Sequence, residues 1–562
     1  MTAVFCAHEE EREAAADPER RTRSVSFYVP AGEREEELHW WKQDAGHRIV
    51  FLPSCVDTED VRISLRGSAA ATIGGIPVKD GMDCGLFRTD VEYEVLLPEQ
   101  SPFKLCFLRS ANLPVMYIHT VSGTTDTIHT ERNVDEYAEV CIIRTDGTTD
   151  YYGPADQISG RGSGSWIYDK KSYNLKLNRP ADLLDMGNGS KWVLLANVID
   201  ESHLRNKTVY DFAREIESYP GFAPDCEYVD VFLNGEYAGL YLLSEKAEIA
   251  ENRVEADPET FLIEIDALGR SDRMNLPFTL DWGLACGIRS PKTSTEADRD
   301  LLMNHLFEFQ ETLEDPSAGQ EALSYIDTDS WSRRYLIEEI FENYDAGSHS
   351  QFYFWNPYSG HDNRIFAGPC WDYDNCADSW FMAKQNPRCF LAQRMWKNDY
   401  ERTPWYGTLM QKEDFRNLVL ELYRTVMSPK LHQMLDSGIA EEAERIAAAS
   451  RMNALRWNME DPEAAVRHFL EFMRERVRFL DSAWIDGVEY RTITAKTMWD
   501  DHFYCTEPGT ACTDLPKPEE LYAEEGCVWI REDTGEVVDS DTIIRENFTI
   551  IAVPGETAES AG

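Results

Sequence analysis

Two groups of aspartates flank a predicted β-hairpin in residues 343–379. Asp345 ends an amphipathic helical pattern and lies in a Gly/Ser loop, while Asp372 and Asp374 follow the second strand of the hairpin. Carboxylates at two such places suit two different tasks, orienting a nucleophile and holding a divalent cation. A protein kinase site has the same order, with one Asp that accepts the proton of the acceptor hydroxyl and a later Asp that holds Mg²⁺. The same aspartates could instead only cap turns, where Asp is common.

A second candidate for phosphate chemistry is the Gly- and Ser-rich stretch 159–165 with the strand that follows it. Glycines allow backbone N–H groups to approach a phosphate, and Arg161 could add a positive charge. The strand carries Lys170, Lys171 and Lys176 in an otherwise very acidic chain. Period-two alternation predicts Lys171 on one face and the other two lysines on the opposite face. A phosphate-binding strand and a solvated strand face both fit this pattern.

The composition and the missing motifs exclude several classes of function. The 562 residues include 55 Lys and Arg against 101 Asp and Glu, a formal net charge of −46. Such a surface repels nucleic acid and anionic membranes at long range. Metalloprotease, serine hydrolase and Walker-type motifs are absent, the thirteen cysteines form no C-x-x-C pair, and no apolar run approaches the ~18–20 residues of a membrane span. We therefore expect no nucleic-acid partner and no integral membrane segment.

The elements that must position these residues fall into four regions. Residues 1–23 are charged and aperiodic and predict a disordered tail. Residues 24–125 contain short alternating apolar runs between Gly and Pro, which indicates a β-sandwich-like module. Residues 130–487 mix strand and helix periods, and residues 490–562 predict a small β module with a frayed tail. The predicted fold class is therefore α+β and multidomain.

The central region contains the clearest local signals. Asn234-Gly235 separates two alternating apolar runs, which predicts a type I′ hairpin because both residues tolerate positive φ. Helical periodicity predicts helices over 206–219 and 329–345, and helices dominate 410–484.

Six blocks of this region, spread in order over about 210 residues, resemble the CotH kinases, a family of bacterial atypical protein kinases named for spore coat protein H. The blocks are RGSGSWIYDKKSYNLKL (161–177), KWVLLANVIDESHLRN (191–206), YVDVFLNGEYAGLYLLSEKAEIAENRV (228–254), FLIEID (261–266), IEEIFENYDAGSHSQFYFW (337–355) and GPCWDYD (368–374).

The resemblance implies a protein-kinase-like two-lobed core flanked by small β modules. It further implies ATP with Mg²⁺ (or Mn²⁺) as the phosphoryl donor and Ser/Thr of a protein substrate as the acceptor. By position, Asp345 matches the catalytic-loop Asp and Asp372 matches the metal-binding Asp, with Asp374 beside it. Gln351 or Ser350 stands where a second metal ligand is expected, at a position where kinases usually have Asn.

The resemblance also implies a set of nucleotide-binding residues. It assigns the phosphate-binding lysine to Lys176, with Lys171 as the alternative, and the ion-pair partner of that lysine to Glu215. Further positions expected near the nucleotide are Arg161, Glu245 and Lys246. The Gly-rich loop departs from G-x-G-x-x-G, because no third glycine follows Gly164 at the expected spacing.

For location, the resemblance implies an extracellular, cell-surface or spore-associated bacterial protein, and residues 527–554 resemble the end of a surface β-repeat. The first residues lack the pattern of a signal peptide, so this location rests on the resemblance. Two other functions stay open. One is a non-catalytic surface, spore or adhesion protein on a kinase-like fold, and the other is a small-molecule kinase. The presence of both Asp345 and Asp372 favours the enzyme.

Overall fold

The computed structural model describes residues 25–65, 71–98, 100–267, 271, 274–281, 283–358, 362–379, 385–391, 403–498, 501–521 and 523–555. The predicted tail 1–23 lies outside the described residues, as does the predicted frayed tail 555–562 apart from residue 555. The chain divides into two compact units. Unit 1 comprises residues 1–207, 225–246 and 440–466, and unit 2 comprises 208–224, 247–439 and 467–562. Both helices and several sheets are present, which confirms a mixed, multidomain fold.

Unit 1 is built mainly from β-strands. Its strands are β1 Val25–Ala31, β2 Arg34–Leu38, β3 Trp41–Lys42, β4 His47–Leu52, β5 Arg62–Leu65, β6 Ala71–Ile73, β7 Ile76–Val78, β8 Glu92–Leu96, β9 Phe103–Arg109, β10 Val115–Thr120, β11 Asp135–Ile143, β12 Thr149–Arg161, β13 Ser172–Asp182, β14 Asn188–Leu195, β15 Cys226–Leu233 and β16 Glu236–Glu245. The strands of unit 2 are β17 Phe261–Ala267, β18 Asn275–Thr279, β19 Leu284–Ser290, β20 Gln351–Trp355, β21 Phe366–Ala367, β22 Arg491–Lys496, β23 Asp501–Thr506, β24 Thr510–Ala511, β25 Cys527–Arg531, β26 Val537–Val538, β27 Ile543–Ile544 and β28 Phe548–Pro554.

The α-helices are α1 Asp126–Thr130, α2 Arg205–Glu215, α3 Glu296–Glu314, α4 Thr328–Ile340, α5 Trp405–Leu409, α6 Glu413–Leu422, α7 Ser428–Gln433, α8 Ile439–Trp457 and α9 Pro462–Trp484. Two π-helical turns, Tyr423–Met427 and Met434–Gly438, join α6 to α7 and α7 to α8. Helices were predicted over most of these residues. Among the described residues, no helix combines the length and the apolar character needed to cross a membrane.

The first part of unit 1 contains a three-stranded sheet, β2-β1-β5, and a six-stranded sheet, β3-β4-β9-β8-β6-β7. Strand β10 falls inside the region 24–125, yet it pairs with β11 and β15 in the closed barrel β10-β11-β12-β13-β14-β16-β15. The two parts also share one apolar core, in which Phe51 packs against Tyr237 with ring centroids 4.6 Å apart. The first sheets and the barrel are therefore joined through a common core.

The barrel has a second core in its interior, to which alternate residues of each strand contribute. Leu175, Leu177 and Trp192 are buried there, whereas Lys176 between the two leucines is exposed. The predicted turn at Asn234-Gly235 connects β15 to β16, with φ of 53° and 83°. This is the positive φ at both positions that a type I′ turn requires, so the prediction is confirmed.

Unit 2 places the hairpin of the aspartate segment in a five-stranded sheet, β18-β19-β17-β20-β21. Helix α4 packs through an aromatic cluster, where Trp331 lies 5.6 Å from Phe309 and 5.8 Å from Trp405 between ring centroids. The C-terminal strands form a separate sheet, β23-β22-β28-β25-β26, over a small core that includes Trp529 and Ile550.

Candidate active site

The loop that carries Asp345 begins where α4 ends. The helix was predicted to reach residue 345, but it ends at Ile340, and Glu342 adopts φ of 44°, which cannot continue a right-handed helix. The carbonyl of Asp345 accepts the backbone N–H groups of Ser348 and His349 at 3.0 and 3.1 Å. These bonds close a turn, so Asp345 stands on a fixed loop rather than on the helix.

The side chain of Asp345 is partly exposed, with 22% of its surface accessible. The backbone N–H of Asp345 donates to Asn343 Oδ1 at 3.2 Å. The Nδ1 atom of His349 lies 3.9 Å from Oδ1 of the Asp345 carboxylate. An accessible carboxylate on an anchored backbone is the arrangement that a proton acceptor needs.

Asp372 lies in a left-handed backbone conformation, with φ of 69°. Its N–H donates to the hydroxyl oxygen of Tyr210 at 3.1 Å, and its Oδ2 accepts the hydroxyl of Ser350 at 2.9 Å. A non-glycine residue at positive φ is uncommon and clusters at functional sites. The hydrogen bond from Ser350 joins the Asp372 loop directly to the segment that follows Asp345.

Backbone hydrogen bonds also hold the two aspartate loops side by side. Tyr344 N–H donates to the carbonyl of Asn375 at 3.1 Å, and Ala377 N–H donates to the carbonyl of Phe341 at 2.8 Å. The structure therefore brings together the two loops that the sequence separates by a hairpin. Asp374 lies in the second of these loops and is half-buried.

Ser350 and Gln351, the two candidates for a second metal ligand, have different surroundings. Gln351 is buried, and its amide donates to the carbonyl of His349 at 2.9 Å and accepts from Arg334 at 3.4 Å. Ser350 contacts the Asp372 carboxylate directly. Of the two, Ser350 is the one whose side chain reaches the proposed metal-binding carboxylate.

The oxygen atoms around Asp372 suit a magnesium ion that arrives with a nucleotide. Within the described parts of the chain, no three His, Cys, Asp or Glu side chains form a ready-made metal site. Mg²⁺ is commonly held by one or two carboxylates together with phosphate oxygens and water. The half-buried carboxylate of Asp372 with the Ser350 hydroxyl is a donor set of this kind, so the residues fit Mg²⁺ bound with ATP.

In unit 1, the lysines of the predicted phosphate strand have three different environments. Strand β13 begins only at Ser172, so Lys170 and Lys171 precede it and the predicted alternation does not apply to them. Lys171 donates to the carbonyl of Trp166 at 2.6 Å and to that of Tyr168. Lys176 is exposed and stands opposite Lys191 in the register of β13 and β14.

Of these three lysines, Lys170 is the one that is buried, and the sequence analysis assigned it no role. Its ammonium group donates to the carbonyls of Ala196 and Leu240 at 2.7 and 2.6 Å and lies 4.6 Å from the ring centre of Tyr241. Complete burial lowers the pKa of Lys170 well below its ordinary value. Because Lys170 and Lys171 are adjacent and identical, the sequence does not indicate which of the two is buried.

The local structure explains two glycines of the Gly-rich stretch. A Cβ on Gly160 would lie 2.3 Å from the Trp166 ring, and Gly162 adopts φ of 110°. A 3₁₀ turn, Gly164–Ile167, follows, while Arg161 ends β12 and is partly buried. The close approach of Trp166 to Gly160 explains why a side chain is excluded there.

Three further residues, which were predicted to lie near the nucleotide, have the following surroundings. Glu215, at the end of α2, accepts from Lys430 at 3.1 Å, so its pairing with a strand lysine stays a prediction. Glu245 is buried and accepts the N–H of Asp225 at 2.9 Å beside the start of β15. Lys246 directly follows β16 and is partly buried.

Sequence reasoning missed the buried polar residues behind the loops, chiefly Arg334, Glu338 and Tyr210. Arg334 and Glu338 stand four residues apart on α4, and both are almost fully buried. An oppositely charged i, i+4 pair within an otherwise apolar helix face is the signal that could have identified them. Tyr210 carries no such signal, since a buried tyrosine is common.

Comparison of the sequence with known protein families identifies the family of this chain. The family model described as CotH kinase protein matches residues 158–480, more than half of the chain. The chain therefore belongs to the CotH kinase protein family, and both aspartate loops lie inside the matched region. A comparison with curated proteins gave no significant match.

Proposed function

We propose that this protein is a phosphotransferase that moves the γ-phosphoryl group of Mg-ATP to Ser or Thr hydroxyls of a protein substrate. A kinase-like two-lobed core is part of the proposal. The single observation that carries it is the hydrogen bond of 2.9 Å from Ser350 to Asp372, which joins the loops of the two aspartates. Family membership supports a kinase-like activity.

Each aspartate has one task in this proposal. Asp345 orients the acceptor hydroxyl and takes its proton, for which its carboxylate is accessible. Asp372 holds the metal ion, with Ser350 beside it and Asp374 or Gln351 as further candidates. When bound, ATP would supply the phosphoryl group and Mg²⁺ would neutralise the charge of its phosphates. Lys176 is the proposed phosphate-binding lysine, since Lys170 and Lys171 already donate to backbone carbonyls.

The acceptor and the location are the finer parts of the proposal. Ser/Thr acceptors and an extracellular, cell-surface or spore-associated site follow from the resemblance to CotH kinases. A small-molecule acceptor uses the same two aspartates, so only an acceptor screen separates the two. A non-catalytic surface protein predicts no turnover of ATP with either type of acceptor.

The experiment compares Asp345→Asn and Asp372→Asn in the full chain. Asp345→Asn should retain Mg-dependent ATP binding and lose roughly 10²–10⁴-fold in transfer rate, the scale of a positioned acid–base group. Asp372→Asn should lose both, because a metal ligand acts in binding and in chemistry. Isothermal titration with Mg-ATP and a γ-labelled ATP transfer assay, with protein and small-molecule acceptors, measure these effects.

Asp362→Asn is a matched control. Asp362 lies in the same hairpin and forms an ion pair with its near neighbour Arg364. This variant should bind and transfer like the parent. Transfer by Asp345→Asn at the parent rate, or parent-like Mg-ATP affinity in Asp372→Asn, would contradict the proposed roles.

A further inference from the structure

An ion pair is buried behind the two aspartate loops. Arg334 and Glu338 lie one turn apart on α4, and their side chains are 1% and 0% exposed. Burying two charges is costly unless further hydrogen bonds satisfy their remaining atoms. The partners of this pair therefore indicate what it does.

Glu338 accepts a hydrogen bond from a residue close to each aspartate in the chain. Its Oε2 accepts the side-chain amide of Asn343 at 2.6 Å, and its Oε1 accepts the hydroxyl of Tyr373 at 2.9 Å as well as Nε of Arg334. Asn343 in turn accepts the backbone N–H of Asp345 at 3.2 Å. Tyr373 directly follows Asp372 in the chain. One carboxylate thus connects the two loops from behind.

Arg334 adds two more contacts on the same loops. Its Nη1 donates to the carbonyl of Pro369 at 3.0 Å, ahead of Asp372, and its Nη2 donates to Gln351 Oε1 at 3.4 Å, after Asp345. The pair therefore reaches both loops twice. A carboxylate accepts several hydrogen bonds at once, and charge makes each of them stronger, so the pair holds both loops through directed contacts.

We propose that Glu338 and Arg334 are positioning residues that fix the separation between the Asp345 and Asp372 carboxylates. The inference rests on the proposed phosphotransfer, because the separation matters only if both carboxylates act on one reaction. Misplacing a reacting group by about 1 Å can cost roughly 10²-fold in rate. Removing a hydrogen bond between Glu338 and either loop should therefore lower the rate of phosphoryl transfer, while the melting temperature changes no more than in a matched control.

Tyr373→Phe tests this with a small change, because it removes only the hydroxyl that binds Glu338. The matched control is Tyr335→Phe. Tyr335 is equally buried on α4, and its hydroxyl donates to the neighbouring carboxylate of Glu339 at 2.7 Å. The carboxylate of Glu339 accepts hydrogen bonds from Arg476 and from the backbone N–H of Leu391.

The full-length parent and both variants are compared in thermal unfolding, in Mg-ATP titration and in kcat and KM for transfer. We expect similar melting temperatures in the two variants, a fall in kcat of at least about 10-fold in Tyr373→Phe alone, and little change in KM for the acceptor. Glu338→Gln should show a larger fall in kcat where it folds.

The outcomes separate the inference from the proposed function. Equal kcat values for Tyr373→Phe and Tyr335→Phe, with an active parent, would overturn the positioning role and leave the proposed function standing. A parent that neither binds Mg-ATP nor transfers phosphate to any acceptor would overturn the proposed function and the inference that rests on it.

Discussion

Replacing Asp230 by Asn should change how the stability of unit 1 depends on pH. Asp230 lies in β15 of the barrel and is fully buried, and its Oδ1 accepts the hydroxyl of Tyr237 at 2.9 Å. Burial raises the pKa of Asp230 to about 6, although the hydrogen bond from Tyr237 acts in the opposite direction. Asn has nearly the same shape as Asp but does not titrate. A difference in pH dependence between the parent and the variant therefore reports the protonation of Asp230.

The magnitude follows from the two pKa values. An unfolded Asp has a pKa of about 3.9, and a difference of about two units corresponds to about 3 kcal/mol. Since the folded state holds the proton more tightly, it binds more protons than the unfolded state between about pH 4 and pH 6. The contribution of Asp230 to stability is therefore fully present below about pH 4, falls as the pH rises through 6, and is constant above it.

Amide hydrogen exchange of β15 and β16, corrected for the intrinsic exchange rate, measures this stability locally. Between pH 4.5 and pH 7.5, the free energy of opening in the parent should fall by about 2 kcal/mol more than in Asp230→Asn. Asp135→Asn, at an exposed position of β11, is the control and should follow the parent. Parallel pH profiles for the parent and Asp230→Asn would refute the reasoning.

Two further predictions concern single hydrogen-bonding groups. Lys170→Met should destabilise the protein by about 2–5 kcal/mol in thermal or urea unfolding, because the carbonyls of Ala196 and Leu240 lose their donor, whereas the exposed Lys176→Met should leave stability nearly unchanged. A stable Lys170→Met would contradict this account. Ser350→Ala should weaken Mg-ATP binding by roughly 10- to 100-fold in isothermal titration, since a hydrogen bond to a charged group contributes about 1.5–3 kcal/mol. Unchanged affinity would count against the role given to Ser350.

Features that depend on neighbouring residues could be predicted from the sequence. The turn at Asn234-Gly235 follows from the φ preferences of two residues. Helical periodicity predicts a helix over 329–345, and the structure forms it as α4, although α4 ends at Ile340. Six short blocks were enough to identify the family, which the match over residues 158–480 confirms. The two aspartate loops were predicted from their order around a hairpin, whereas the roles of Asp345 and Asp372 stay proposals.

Features that depend on residues distant in the chain were decided by the tertiary structure. Lys170 and Lys171 are adjacent and identical, yet they bind different carbonyls because the chain turns before β13 begins. The contact of Ser350 with Asp372 spans 22 residues, and that of Glu338 with Tyr373 spans 35. Local preferences act over a few residues, but the burial of a charge and the identity of its partner depend on segments that meet only when the chain folds.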